Sequence, residues 1–271
     1  MAFLDDLKKE AEAQKQHELQ QTQSKLVAVS QSFLLVQKKY KEVHHYLLEL
    51  VNQLNVLNLE LNRSYYIEGF GMIDNFRPRD YALSIDSIRI GHKDFANTLM
   101  LRFKCVTDKT ITVERNVPAQ IDNLKDYLWQ NNLKYQCTEY KNERGIVSRA
   151  IFNITSEIPI SIRFSADFEN AKIFIQMKNF GGLTVNEYIY AADEIGSELL
   201  DEMAKYLIDK PNVFRDLGRH QQSMREFTRQ ARQSKEVNYA QSPAAAAADD
   251  DEDEDEEKSA SFFDRLKSIL T

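Results

Sequence analysis

Ile160-Ser-Ile-Arg-Phe-Ser165 alternates apolar and polar side chains residue by residue, and Leu101-Arg-Phe-Lys-Cys105 does the same. Side chains of a strand point to opposite faces with a period of two, so such runs have one dry and one wet face. One-sided burial of this kind marks an antiparallel sheet, because parallel sheets are covered on both faces and read as continuous apolar runs. Further segments with this pattern or with β-branched and aromatic enrichment lie at 65–73, 81–90, 97–106, 110–115, 134–141, 146–155, 158–166 and 171–178. Turn signals separate them: Arg77-Pro-Arg-Asp80, Gly91-His-Lys-Asp94, Asp108-Lys109, Asn142-Glu-Arg-Gly145 and Asp167-Phe-Glu-Asn170. The reading is an α+β fold: an antiparallel sheet of about seven strands, its dry face covered by helices.

The helices are read outward from that sheet. Residues 1–64 contain neither Gly nor Pro, and from Leu26 to Leu61 apolar residues recur at alternating spacings of three and four. That predicts a helix about 54 Å long with a heptad pattern. Val27, Leu34, Leu35, Leu48, Val51, Val56 and Leu59 fall outside the seam, so the apolar face is wider than a two-stranded coiled coil needs. Two uses follow: packing on the protein's own sheet, or self-association through Leu26–Leu61. Residues 8–24, rich in Lys, Glu and Gln, read as a solvated helical extension or frayed arm. Pro118 opens a second helix with Ile121, Leu124 and Leu128 on one face. A third is expected over 185–209, with Pro211 beyond its end.

Beyond the 65–211 body, residues 212–237 read as a basic helix. Arg215, Arg219, Arg225, Arg229, Arg232 and Lys235 face only Asp216 and Glu226 over 215–235, a local charge of +4. These cations are candidates for binding phosphates or anionic lipid head groups, set against the plain reading of a solvated charged face. Residues 238–261 read as a disordered linker, Pro/Ala/Ser-rich over 238–248 and then carrying nine consecutive acids, Asp249–Glu257. So dense a run of like charge stays solvated and extended. It is also placed to fold back on the basic helix and compete with an outside polyanion. Taking those nine acids from the net −7 leaves +2 for the rest, so the acidity is local.

Residues 262–271 read as an amphipathic docking helix, with Phe262, Phe263, Leu266, Ile269 and Leu270 on one stripe. Phe3, Leu4 and Leu7 form a weaker second docking motif in the matching pattern Phe-Leu-Asp-Asp-Leu-Lys. The run Phe262-Phe-Asp-Arg-Leu-Lys-Ser-Ile-Leu270 behind its acidic stretch resembles the amphipathic lipid-binding helix of the bacterial signal-recognition-particle receptor. Phe262, Phe263, Arg265, Leu266, Lys267 and Leu270 carry that likeness over about ten residues, and nothing of the receptor's GTPase is present. The resemblance implies at most a shared way of touching a membrane, and a protein groove accepting the same apolar anchors is the other target. The opening Met-Ala-Phe-Leu-Asp-Asp-Leu-Lys-Lys-Glu-Ala-Glu also resembles openings of bacterial cytosolic proteins without an assigned role.

Motifs for chemistry are missing. No Walker A, GxSxG, HExxH or CxxC pattern occurs, the five histidines are scattered, and Gly69-Phe-Gly71 is too short for a dinucleotide loop. No catalytic residue, cofactor or metal ligand is assigned. Cys105 and Cys137 suit a reducing cytosol. The first residues do not read as a signal peptide, and no run is long and apolar enough to span a bilayer. Arg77, Arg79, Arg89, Lys104 and Arg163 on the wet sheet face admit a nucleic-acid platform, but more simply form an ordinary polar face. The expectation is therefore a cytoplasmic adaptor or scaffold without catalytic function, docking on a partner protein or on the inner membrane surface. A nucleic-acid-associated protein using the Arg-rich helix is the second reading, and an enzyme of unknown class the third.

Overall fold

A computed structural model of the chain describes residues 2–57 and 59–217, with side chains from residue 14 onward. Helix α1 (Ala2–Leu57) is followed by strands β1 (Arg63–Ile67), β2 (Gly71–Ile90), β3 (Lys93–Val106) and β4 (Ile111–Arg115). Helix α2 (Pro118–Gln130) leads into β5 (Tyr135–Lys141), β6 (Val147–Ile154), β7 (Glu157–Asp167), β8 (Lys172–Lys178) and β9 (Val185–Ala191). A 3-10 turn (Ala192–Glu194) and helix α3 (Ser197–Leu207) follow. The fold is α+β, as the alternation indicates. The strands form two antiparallel sheets, one of six in the order β1-β2-β3-β7-β8-β9 and one of three in the order β4-β6-β5.

The alternation quoted above sets the register of the larger sheet. Leu99 pairs with Phe164 and Leu101 with Ile162 across β3 and β7, while Phe164 pairs with Ile175 and Ile162 with Met177 across β7 and β8. These rows point to one face and are buried. A one-residue slip would turn all of them to water. Their cover is α1, whose Phe33, Val36, Tyr40, Val43 and Leu47 are wholly buried, with Val51 and Leu54 nearly so. The heptad seam from 33 to 54 thus packs on the protein's own sheet. Its helix spans 56 residues, about 84 Å, and ends at Leu57.

Two polar side chains tie α1 to irregular points of the sheet. The ladder between β2 and β3 shifts at Arg79/Ala82 and again at Asp86/Ser87. At the first shift Asn55 Nδ2 donates to the Tyr81 carbonyl (2.8 Å), and its Oδ1 accepts from the Tyr81 N–H (3.1 Å). At the second, Gln37 Nε2 donates to the Ala96 carbonyl (2.6 Å), and its Oε1 accepts from the Ala96 N–H (3.0 Å). Each amide replaces a pair of backbone bonds that a bulge withdraws from the ladder. Arg77-Pro-Arg-Asp80, expected as a turn, is therefore a bulged stretch of a continuous β2, with Asp80 at φ 60°. Replacing Gln37 by Leu is expected to cost about 1–3 kcal/mol per backbone group left unpaired. Equilibrium urea unfolding of the Gln37→Leu chain checks this.

Two further boundaries differ from the sequence reading. The 65–73 segment is two strands joined by a hairpin turn at Gly69, whose φ of +84° strains any other residue; a Cβ there would also have to displace the Arg115 guanidinium, the mobile end of its side chain. Tyr127 Oη donates to the Tyr66 carbonyl (3.3 Å), so this hairpin joins α2 and the smaller sheet to the larger one. Residues 185–191, expected to begin a helix, form edge strand β9 on β8. Tyr188 happens to stand at helical spacing from Ala192 and Ile195, but β8 offers a free edge, and Tyr188 and Tyr190 bury their rings by alternation.

Among the described residues no helix is long and apolar enough to cross a membrane.

Candidate functional site

Where β9 and α3 meet, the chain leaves the described body through a box of aromatic rings. The Asn179–Thr184 turn between β8 and β9 is built on three positive φ angles, at Asn179 (59°), Gly181 (74°) and Gly182 (147°). It places Phe180 next to Tyr206 of α3, with ring centroids 4.7 Å apart. Alternation along β9 turns Tyr188 and Tyr190 inward beside it. After α3 the backbone reverses at Asp209 (φ 54°) and returns through Pro211. One helical turn then forms at 214–217, with the Asp216 and Leu217 N–H groups donating to the Val213 carbonyl (2.9 and 3.0 Å). Its start is capped from two sides: Asn212 Oδ1 accepts from the Phe214 N–H (3.3 Å) and the Glu202 carboxylate from the Val213 N–H (2.7 Å).

This turn drives Phe214 into the box, where it is fully buried. Its ring lies 5.0 Å from Tyr188, 6.4 Å from Tyr190 and 5.6 Å from Tyr206, stacked on the last at 25°. Arg215 Nε donates to Tyr206 Oη (2.9 Å), and its guanidinium carbon lies 5.1 Å from the same ring. The box can therefore hold an aromatic knob with a guanidinium at its rim. The Tyr190 hydroxyl is buried without a hydrogen-bond partner among the described residues, and burial raises its pKa above the ordinary 10.0.

Behind the box lies a buried polar cluster. Arg63 of β1 is 7% exposed, and its guanidinium sits 4.2 Å over the Phe180 ring. One of its terminal nitrogens donates to the Leu207 carbonyl at the end of α3 (2.8 Å) and to Asp209 (3.3 Å). Tyr65 Oη donates to the Asn179 carbonyl (3.1 Å), and Asn179 Nδ2 donates to the carbonyls of Asn131 and Pro159, both at 2.9 Å. Cys105 Sγ lies 3.8 Å from Tyr65 Oη. Burial lifts the Cys105 thiol from an ordinary 9.0 to about 11, against the opposing pull of Arg63, so it is protonated and a poor nucleophile at neutral pH.

That shift carries a sign. A thiol with a raised folded pKa stabilises the fold fully below pH 9.0, and this contribution is lost between 9.0 and about 11, where only the unfolded chain releases the proton. The loss is about 2–3 kcal/mol. Denaturant unfolding at pH 8 and pH 11 is expected to show a steeper alkaline decline for the natural chain than for Cys105→Ala.

The anticipated site residues are distributed unevenly. Phe3, Leu4 and Leu7 lie on the first turns of α1, where the backbone alone is described. Arg219, Arg225, Arg229, Arg232, Lys235, Phe262, Phe263, Leu266, Ile269 and Leu270 lie outside the described residues. Arg215, the first of the expected anion-binding row, is engaged with Tyr206, and the body reaches at least to Phe214, past the boundary at 211. On the wet sheet face Arg77 pairs with Asp108, Arg79 donates to the Leu59 carbonyl, Arg89 pairs with Asp94, and Lys104 pairs with Asp80 and Glu157. Neighbouring groups thus use four of the five expected basic residues there; the fifth, Arg163, is exposed.

The chain matches no protein-family model, and no similar curated protein or solved structure was found.

Proposed function

We propose that this protein is an adaptor or scaffold without catalytic function, docking on a partner protein or on the inner membrane surface through amphipathic segments carried outside its α+β body. The observation that carries the reading is the division of α1. Residues 33–54 supply its buried face, whereas every residue from 14 to 25 is exposed. The helix continues N-terminally over residues 2–32, about 46 Å beyond Phe33. A stretch such as 14–25, exposed on every side, has no tertiary packing to hold its helix, and the docked part supplies the nucleus. An arm of this kind holds Phe3, Leu4 and Leu7 well away from the sheet, as a reaching element requires. At the other end, the clamp on Phe214 gives the segment leading to 262–270 a firm point of departure.

The test is capture by the peptide of residues 258–271, offered separately to cell lysate and to anionic and neutral vesicles, beside the same peptide carrying Phe262→Asp and Leu266→Asp. Retention of a defined partner or of vesicles by the first peptide alone is the expected result. Equal behaviour of the two peptides sinks the proposal.

A further inference from the structure

The segment seated in the aromatic box has a counterpart elsewhere in the chain. Asn212-Val-Phe-Arg-Asp-Leu217 and Ser261-Phe-Phe-Asp-Arg-Leu266 share one pattern: a residue suited to cap a helix, an apolar residue, Phe, two opposite charges, and Leu. Phe3-Leu-Asp-Asp-Leu7 carries the last five positions in weaker form. The 212–217 copy shows how the body receives such a turn. Asn212 caps it, Phe214 is the buried knob, and Leu217 stays 52% exposed at the rim. In the 261–266 copy the order of the charges is inverted, which on a helical turn would move the guanidinium about 100° round it. The Phe and its cap are therefore the shared anchor, and the bond from Arg215 to Tyr206 belongs to the first copy. Val213 is 50% exposed beside the box, and Phe262 stands at the same position of the motif with a larger apolar surface to bury.

We propose that the box of Phe180, Tyr188, Tyr190 and Tyr206 is a docking site for this motif, and that residues 261–266 of this same chain are its alternative occupant, exchanging with 212–217. The 43 residues between the two copies permit this: with 218–237 as the expected helix, about 30 Å long, the 23 residues of 238–260 can still span up to about 76 Å and return to the box. Exchange couples the two ends of the basic and acidic stretch. With Phe214 seated, residues 262–270 are available to an outside target. With Phe263 seated, they are withdrawn, and the basic residues after 214 are freed from the body. The inference rests on the reading of 262–270 as a docking segment and assigns it an intramolecular competitor.

Binding of a fluorescent peptide of residues 258–271 to the full chain tests it. Phe214→Ala, made in a chain that also carries Phe263→Asp so that its own 261–266 cannot fill the box, is expected to bind this peptide about tenfold more tightly or better than the natural chain, and a peptide with Phe263→Asp is expected to lose the gain. Such a doubly substituted chain that unfolds cooperatively yet binds no better, or binds both peptides alike, overturns the proposal. Should Phe214→Ala fail to fold, a benzophenone photo-cross-linker in place of Phe263 in the otherwise natural chain decides. Adducts within 180–206 support the exchange, and adducts elsewhere or none overturn it. Vesicle or partner capture by the peptide without box binding removes the exchange and leaves the adaptor reading. Box binding without such capture does the reverse.

Discussion

Phe33→Ala is expected to destabilise the fold by about 3–5 kcal/mol, a fall in Tm of about 6–20 °C for a body of this size. Phe33 is wholly buried, with ring centroids 5.0 Å from Phe95 and 5.2 Å from Phe168. Among the described side chains of α1 it is the first to be fully enclosed, so it pins the point where the arm departs. Truncation removes both rings' partner and leaves a cavity between helix and sheet that neither element can close. Hydrogen exchange should then show protection receding from residue 33 towards Val36 and Tyr40, the next buried positions. Leu19→Ala, on the exposed arm, is the control, with an expected effect within about 0.5 kcal/mol. Comparable losses for the two variants would mean that the arm is packed against something in solution.

Arg63→Ala is expected to cost about 3.5–5 kcal/mol, while Arg63→Met should remain within about 1.5 kcal/mol of the natural chain. The alanine variant loses a charge-assisted bond to the last turn of α3 and a desolvated contact with Phe180. Methionine forfeits the same bond and charge, and like alanine escapes the desolvation cost, but it fills the space that alanine leaves as a cavity. That cost is real here, because Arg63 Nε is buried without a partner among the described residues and Asp209 is half exposed. Guanidinium denaturation of both variants separates the two contributions. If methionine proves as damaging as alanine, the charge itself holds α3 and the Phe180 side of the box in place.

Local pattern made much of this fold legible. The alternation at Ile160–Ser165 and Leu101–Cys105 corresponds to the central pair β7–β3, and the heptads at 33–54 correspond to the helical cover. Both are periodicities enforced by the backbone, so they survive in the sequence alone. Other features were hidden for a definite reason. The Arg77-Pro-Arg-Asp80 bulge looks like a turn in the sequence because Pro and Asp are turn formers, and only Asn55, far off on α1, supplies the bonds that keep the strand running. Strand β9 has the pattern of a helix because Tyr188, Ala192 and Ile195 fit both periods, and the free edge of β8 decides between them. Arg63 gave no signal as the buried member of the cluster, since the groups that bury it lie 100 and more residues away. The box had one visible clue, the likeness of 212–217 to 261–266, which acquires meaning once Phe214 is seen enclosed.

Taken by itself, the sequence determined the α+β class, the dry and wet faces of the sheet, the apolar stripe of α1, and the concentration of acidity at 249–257. Each depends on residue type and near-neighbour spacing. Only the tertiary structure decided that the strands divide into six and three, that α1 runs for 56 residues and spends its stripe on the sheet over residues 33–54, and that Phe214 closes an aromatic box. Those outcomes depend on which distant groups satisfy a given backbone pair, edge or ring, and long-range pairing leaves no period in the sequence.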